Sequence, residues 1–319
     1  MSASHELRFD GETVIVTGAG RGLGREHALA FAARGANVVV NDLGSSDTGQ
    51  GADTHVAQSV VDEIVTNGGR AVADANSVAT SAGAAGIVET ALEAFGRLDV
   101  VINNAGFATY ADFADVTDTQ WRAMMDVTVD GAYHVSKAAW PIFVQQGHGR
   151  FVNTTSNAGF GGAPMLSHYG AAKLAVAGLT KNLALEGAEH GIRANAIAPV
   201  AVTRMNAEHF FGSADPRIEN WKNEIAEGRL AIGPPALVSP AVVWLAHRDT
   251  PVTGEIFSTT SGRVAKVAFV VAEGYFNPDH TAEDLRDNAA AIRDLRRFVD
   301  MNSYEDELNT IPPLFSDYR

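Results

Sequence analysis

Residues Thr13–Gly24 read TVIVTGAGRGLG, and the stretch REHALAFAAR follows at once. Thr13–Thr17 is apolar or β-branched without alternation, the mark of a strand covered on both faces. The glycines then turn the chain into a helix. Gly18 permits the tight turn, Gly22 lets backbone approach a pyrophosphate, and Gly24 lets helix and strand pack closely. The helix start, with Arg21 and Leu23 in the loop, offers unpaired N–H groups and a positive dipole end to an anion. A glycine string alone is an ordinary turn. On a first β–α junction it points to a nucleotide.

Outward from this junction, short apolar runs alternate with longer helical stretches. Strands are expected at Asn37–Asn41, Arg70–Asp74, Leu98–Ile102, Arg150–Thr155, Ile192–Ala198 and Glu255–Ser258. Helices are expected at Gly22–Arg34, Thr54–Asn67, Thr80–Phe95, Thr119–Gln146 and Ser167–His190. This alternation implies an α/β fold, a doubly wound parallel sheet of about seven strands with helices on both faces. Asp42 closes the second strand, where a carboxylate meets the adenosine ribose hydroxyls and repels a 2′-phosphate. That favours NAD over NADP, although a guanidinium at Arg21 pulls the other way. Asn103-Asn104-Ala105-Gly106 follows the fourth strand and lines the cofactor's path.

The segment Ser167–Lys173 reads SHYGAAK. Residues four apart share a helix face, so Tyr169 and Lys173 point into one space. A phenol acting as general base near neutral pH needs its pKa lowered by about 3 units, or about 4 kcal/mol. A neighbouring ammonium and the positive ring of an oxidised nicotinamide supply that together. Gly170, Ala171 and Ala172 are read as leaving room for cofactor and substrate. Ser156 ends the strand FVNTTS, placed to hold a substrate oxygen. Phe160 and Met165 border this strand and helix as substrate contacts. His168 reads as a packing or surface residue rather than a second base.

TGAGRGLG, Asp42, NNAG, Ser156 and YGAAK, in that order, resemble the short-chain dehydrogenase/reductase family over roughly residues 10 to 270. VVVNDLG, KAAWP, ALEG, IAPVAVTRM and VVWLAH are further similar to the (3R)-hydroxyacyl-CoA dehydrogenase modules of multifunctional β-oxidation enzymes and their stand-alone bacterial relatives. The resemblance implies a Rossmann-type domain in which Ser156, Tyr169 and Lys173 carry catalysis and Lys173 also binds the nicotinamide ribose. Three departures stand out. The family's relay asparagine is replaced by Thr128 in DVTVDG, so its hydroxyl or its backbone carbonyl takes over the relay water. Pro-Gly after the sixth strand is Pro199-Val200, with Thr203 available to the cofactor. The adenine-side aspartate becomes Asn76-Ser77.

The resemblance implies an oxidoreductase for a secondary alcohol or ketone, a 3-hydroxyacyl-CoA ahead of a hydroxysteroid or terpenoid alcohol. A non-catalytic NAD-binding sensor or scaffold is the competing class. The aromatic segment Arg204–Pro235 is the expected substrate loop, and the resemblance implies a homodimer or homotetramer, the long helices being the family's usual dimer faces. The 319 residues contain no cysteine, which excludes disulfide and thiolate chemistry, and no metal-ligand spacing among ten histidines. A net charge of −14 argues against nucleic acid or an anionic membrane as partner. Without an apolar leader or a membrane-length apolar run, a cytoplasmic protein is expected. After Ala272 the composition changes: Glu273–Arg319 holds eleven Asp/Glu against five Lys/Arg. Residues 1–272 are therefore taken as one cofactor-binding and catalytic domain, and 273–319 as an acidic extension with one helix opened by Thr281.

Overall fold

The computed structural model describes residues 6–46, 51–203, 223–224, 227 and 232–309. Contacts divide the chain into two compact units, Met1–Lys266 and Val267–Arg319. The first unit carries strands β1 (Thr13–Thr17), β2 (Asn37–Asn41), β3 (Arg70–Asp74), β4 (Val100–Asn103), β5 (Gly149–Thr154), β6 (Ile192–Val200), β7 (Ile256–Thr260) and β8 (Arg263–Val267). They form one eight-stranded sheet in the order β3-β2-β1-β4-β5-β6-β7-β8. Neighbours from β3 through β7 pair in parallel.

Winding direction reverses between β1 and β4. Right-handed crossovers then send the helices to opposite faces on the two sides of that point. Helices α1 (Gly22–Ala32) and α2 (His55–Thr66) cover one face, where Phe31, Val60 and Ile64 pack on Val14, Val16 and Val38. Helices α3 (Ser81–Phe95), α5 (Gly131–Gln146) and α7 (Ser167–Gly187) cover the other, packing Ile87, Val135, Phe143 and Ala184 on Ile15, Val39 and Val101. Successive strand residues thus serve opposite cores, which is why these strands read as unbroken apolar runs. The reversal opens a crevice at the carboxyl ends of β1 and β4.

Three features differ from expectation. The eighth strand follows β7 through Ser261–Gly262, both at positive φ (49° and 85°), as a two-residue type I′ turn requires. The helix expected over Thr119–Gln146 is α4 (Asp118–Met125), a π turn at Asp126–Asp130, then α5. The π turn coincides with the β-branched run Val127, Thr128, Val129, which crowds a regular helix. Strand β6 runs through Pro199 and Val200, which pair with Thr259 and Thr260.

In the second unit, β9 (Val270–Ala272) pairs antiparallel with β10 (Phe298–Asp300). The stretch expected to be one helix holds α8 and α9 of this unit, Ala282–Asp287 and Ala289–Ile292, interrupted at Asn288. Thr281 and Asp284 do form a reciprocal capping box. Val299 lies in β10. Among the described residues, no helix is long and apolar enough to cross a membrane.

Candidate active site

Thr17 ends β1 and binds the glycine loop to the NNAG turn. Its hydroxyl accepts from the backbone N–H of Asn104 and Ala105, both at 3.0 Å. The Asn104 amide returns bonds to the carbonyls of Thr17 (2.9 Å) and Gly18 (3.1 Å). A Cβ on Gly18 would sit 2.8 Å from Ala105 Cα, and one on Gly24 only 2.1 Å from the Gly18 carbonyl. The two motifs are therefore one packed unit, closed to any side chain at either glycine. Gly22 has φ +53°, and a Cβ there would meet only Thr203, 3.7 Å away.

A cleft of about 370 Å³ opens over this unit. Gly18, Arg21, Gly22, Leu23 and Gly24 line it from the glycine loop, and Asn104, Ala105 and Gly106 from the turn after β4. Pro199 and Thr203 line it from the end of β6. Helix α1 has Arg21 as N-cap, which makes no side-chain cap bond, and no acidic residue in its first turn. Asp42 lines the same cleft. Its two oxygens accept from Gly20 N (2.8 Å) and Gly44 N (2.7 Å), which fixes the carboxylate at the end of β2. An uncapped helix start with a fixed carboxylate beyond it fits a dinucleotide, pyrophosphate on the first and ribose on the second. The Arg21 guanidinium donates to the Ser45 carbonyl at 3.1 Å.

Asn76 and Ser77 also line the cleft. The Asn76 amide donates to Asp74 at 2.7 Å. Asp74, buried at the end of β3, also binds the Asn41 amide (2.7 Å) and the Thr90 hydroxyl (2.9 Å). Sequence reasoning missed this carboxylate, which sets the orientation of the Asn76 amide.

At the other end of the cleft stand Ser156, Tyr169 and Lys173. Ser156 follows β5 and caps α6 (Asn157–Gly161), its hydroxyl accepting from the Ala158 N–H at 3.2 Å. Tyr169 and Lys173 share one face of α7, the ammonium 5.7 Å from the ring centroid. Lys173 is 4% exposed; its Nζ donates to the Thr154 carbonyl at 2.8 Å. Burial pushes its pKa down from 10.5 to about 8. Burial pushes the Tyr169 phenol up, opposed by the Ser156 hydrogen bond.

The small residues between them have another use than the one expected. A Cβ on Gly170 would lie 2.9 Å from the Ala158 carbonyl, Ala172 is fully buried, and Ala171 is exposed. Gly170 makes room for α6 against α7, not for a ligand.

Behind Lys173 lies a separate void of about 10 Å³, lined by Thr128, Asn103, Thr154 and Lys173 among others. Thr128 is buried on the π turn, its hydroxyl 3.6 Å from Met124 Sδ. Asn103 Oδ1 and Thr154 Oγ1 are buried without a partner among the described residues.

Phe160 and Met165 are not among the residues that line the cleft, whereas Leu166, Phe107 and Tyr110 are. The expected loop residues Met205, His209, Phe210, Phe211, Trp221, Ile225 and Leu230 lie outside the described residues. Tyr110 carried no motif; the only hint was its place four residues beyond NNAG.

The short chain dehydrogenase profile matches residues 12–211. The peroxisomal hydratase-dehydrogenase-epimerase of Neurospora crassa is 42% identical over 85% of this chain, which spans 28% of that relative's length. A 3-oxoacyl-[acyl-carrier-protein] reductase of Synechocystis is 34% identical, over 79% of this chain and 97% of the reductase. The structure of a 7α-hydroxysteroid dehydrogenase complexed with NADH and 7-oxo glycochenodeoxycholic acid superposes with a TM-score of 0.71 and 29% identity, covering 83% of this chain and 98% of that one. With this profile and these identities, the chain belongs to the short chain dehydrogenase family of nicotinamide-dependent oxidoreductases acting on CH–OH groups.

Proposed function

We propose that this protein is an NAD-dependent dehydrogenase that interconverts a secondary alcohol and a ketone on a hydrophobic substrate, with 3-hydroxyacyl thioesters as its class. One observation carries the reading. A single cleft holds an uncapped helix start and Asp42 at one end and Ser156, Tyr169 and Lys173 at the other. Asp42 selects NAD by accepting from the ribose hydroxyls and repelling a 2′-phosphate. Arg21, the residue suited to NADP, is engaged with Ser45.

A nicotinamide dinucleotide held by the glycine loop and Asp42 would supply the hydride acceptor for the carbinol carbon. Ser156 holds the substrate oxygen, and Tyr169 removes its proton as general base. Since burial raises the phenol, the Lys173 ammonium supplies opposing charge. A water in the void behind Lys173 passes the proton on, held by Thr154 Oγ1 and Asn103 Oδ1, with Thr128 completing its shell.

The 3-oxoacyl substrate named for the Synechocystis relative supports the thioester class. The likeness to a 7α-hydroxysteroid dehydrogenase supports the alternative, a hydroxysteroid or terpenoid alcohol. Tyr133, Leu174 and Leu185, exposed on α5 and α7, suit a homodimer or homotetramer. The test is nicotinamide absorbance with NAD or NADP against 3-hydroxyacyl thioesters, hydroxysteroids and simple secondary alcohols. Thioester oxidation with NAD is expected. Tight NAD binding without reduction by any alcohol would make the protein a sensor or scaffold instead.

A further inference from the structure

A buried line of hydrogen bonds runs from α7 across the sheet to the void behind Lys173. At its start the Thr180 hydroxyl donates to the Val176 carbonyl of its own helix at 2.8 Å. A carbonyl only accepts, so the Thr180 oxygen is left as an acceptor for the next group. The Asn153 amide on β5 donates to it at 2.9 Å. That turns Asn153 Oδ1 toward β4, where it accepts from the Asn103 amide at 2.8 Å. The second N–H of Asn103 goes to the Ser136 hydroxyl on α5 at 3.0 Å. Both N–H groups of Asn103 are thus committed, and its Oδ1 is buried without a partner among the described residues. Asn103 lines the void together with Thr154, Thr128 and Lys173. Thr180, Asn153, Asn103 and Ser136 are each at most 6% exposed, so no solvent is at hand to satisfy a reversed amide.

We propose that Thr180 and Asn153 are positioning residues for the proton relay. They hold Asn103 with its oxygen, not its N–H groups, toward the void, so that the void offers an acceptor to the Lys173 ammonium or to a water bonded to it. Reversing the two amides would set N–H groups against an ammonium, and Lys173 would hold its proton less well. Ser136 does not decide the direction, because a hydroxyl donates or accepts equally well. The Thr180 end decides it, through the helix carbonyl. Among the described residues that line the void, Lys173 alone is titratable. On the cleft side it faces Tyr169 one turn away on α7, and Tyr110 acts on that phenol from the loop after β4. Asp126 and Asp130, at the ends of the π turn, are exposed. The inference rests on the reading of Lys173 as the catalytic cation, and it adds what sets the acceptor behind it.

The test follows Lys173 itself, by NMR of lysine-labelled protein without substrate. The chain has five lysines, and the signal lost in Lys173→Met identifies the right one. Thr180→Val keeps the side-chain shape but removes the hydroxyl, freeing the two amides to reverse. Its Lys173 titration midpoint is expected to fall by about half a pH unit or more. The alkaline limb of the pH profile for alcohol oxidation should move down with it. Turnover should fall about three- to tenfold, with KM and NAD affinity within about twofold of wild type. Thr180→Ser restores the hydroxyl and should return both midpoint and profile to wild type. Asn153→Ala cuts the line one link nearer the void, should move the midpoint the same way, and decides alone if the valine variant does not fold. A midpoint unmoved in Thr180→Val and Asn153→Ala, or moved as far in Thr180→Ser, would overturn the positioning role. Wild type that oxidises no alcohol would overturn the catalytic reading, while the lysine titration still decides the line.

Discussion

The two ends of the cleft treat their polar groups in opposite ways. At the glycine-loop end nearly every polar atom is already bonded within the chain. Asp42 accepts two backbone N–H groups, Asp74 gathers the Asn41, Asn76 and Thr90 side chains, and Asn104 is tied to β1 through both backbone and amide. At the chemical end, Thr154 Oγ1 and Asn103 Oδ1 are buried with no partner among the described residues. There Lys173 is pushed down, and Tyr169 and Tyr110 up. A binding surface gains from being rigid before its ligand arrives. A proton-transferring site gains from holding groups away from their ordinary ionisation, and the cost appears as buried, displaced charge.

If this division holds, substitutions at the two ends fail differently. Tyr169→Phe should lower turnover by about a thousandfold or more, the upper part of the range for general acid–base groups. Its affinity for NAD, followed by fluorescence titration, should stay within about twofold. Gly24→Ala should do the reverse at the other end. Its Cβ would collide with the Gly18 carbonyl at 2.1 Å and the Asn104 amide at 2.6 Å, both part of the packed unit. Cofactor affinity should fall at least about tenfold, with a lower thermal midpoint. An alanine variant that binds NAD normally would show that the glycine loop is less rigid than these contacts require.

The same contrast governed what could be read from sequence. Strands β1 to β3 were legible to the residue because unbroken apolar runs leave few other folds open. Once the strand order is parallel, the glycine loop, Asp42, NNAG and Ser156 must all fall at carboxyl ends, so their gathering in one cleft follows from motif order. The interruption of the helix at Asp126–Asp130 was not legible. It goes with packing across the fold, where a Cβ on Gly131 would lie 2.8 Å from Val78. Strand β8, RVAKV, was missed because it is short and largely exposed, with the weak periodicity of an edge. Tyr110 was invisible because its position depends on a bond between Thr109 and His168, 59 residues apart.

Lys173 sharpens the comparison through stability. Its folded pKa of about 8 lies below the ordinary 10.5, so the native state bears the cost of a buried charge below pH 8. That cost is about 3 kcal/mol near neutrality by linkage, shrinks as pH rises from 8 to 10.5, and vanishes above. Lys173→Met removes the charge but also the bond to the Thr154 carbonyl, worth about 1 kcal/mol. The variant should therefore be inactive yet about 1–2 kcal/mol more stable at pH 7, with the advantage narrowing by pH 10 in urea unfolding. A variant less stable at pH 7 would mean the ammonium is compensated in the folded state.

The smallest effect belongs to Thr128, where two sources of a hydrogen bond compete. The π turn over Asp126–Asp130 places Val127 as well as Thr128 in the wall of the void, so the backbone there competes with the side chain for a water. The hydroxyl is a weaker candidate than its position suggests, since its nearest partner is a methionine sulfur at 3.6 Å. Asn103 and Thr154 already bring two unpaired oxygens to the same space. Thr128→Ala should accordingly lower kcat by no more than about tenfold and leave NAD affinity unchanged, whereas Thr154→Val, which removes an unpaired oxygen, should cost more. A pH profile for alcohol oxidation displaced in Thr128→Ala and unmoved in Thr154→Val would assign the relay to the threonine on the π turn; the opposite result would assign it to the strand end beside Lys173.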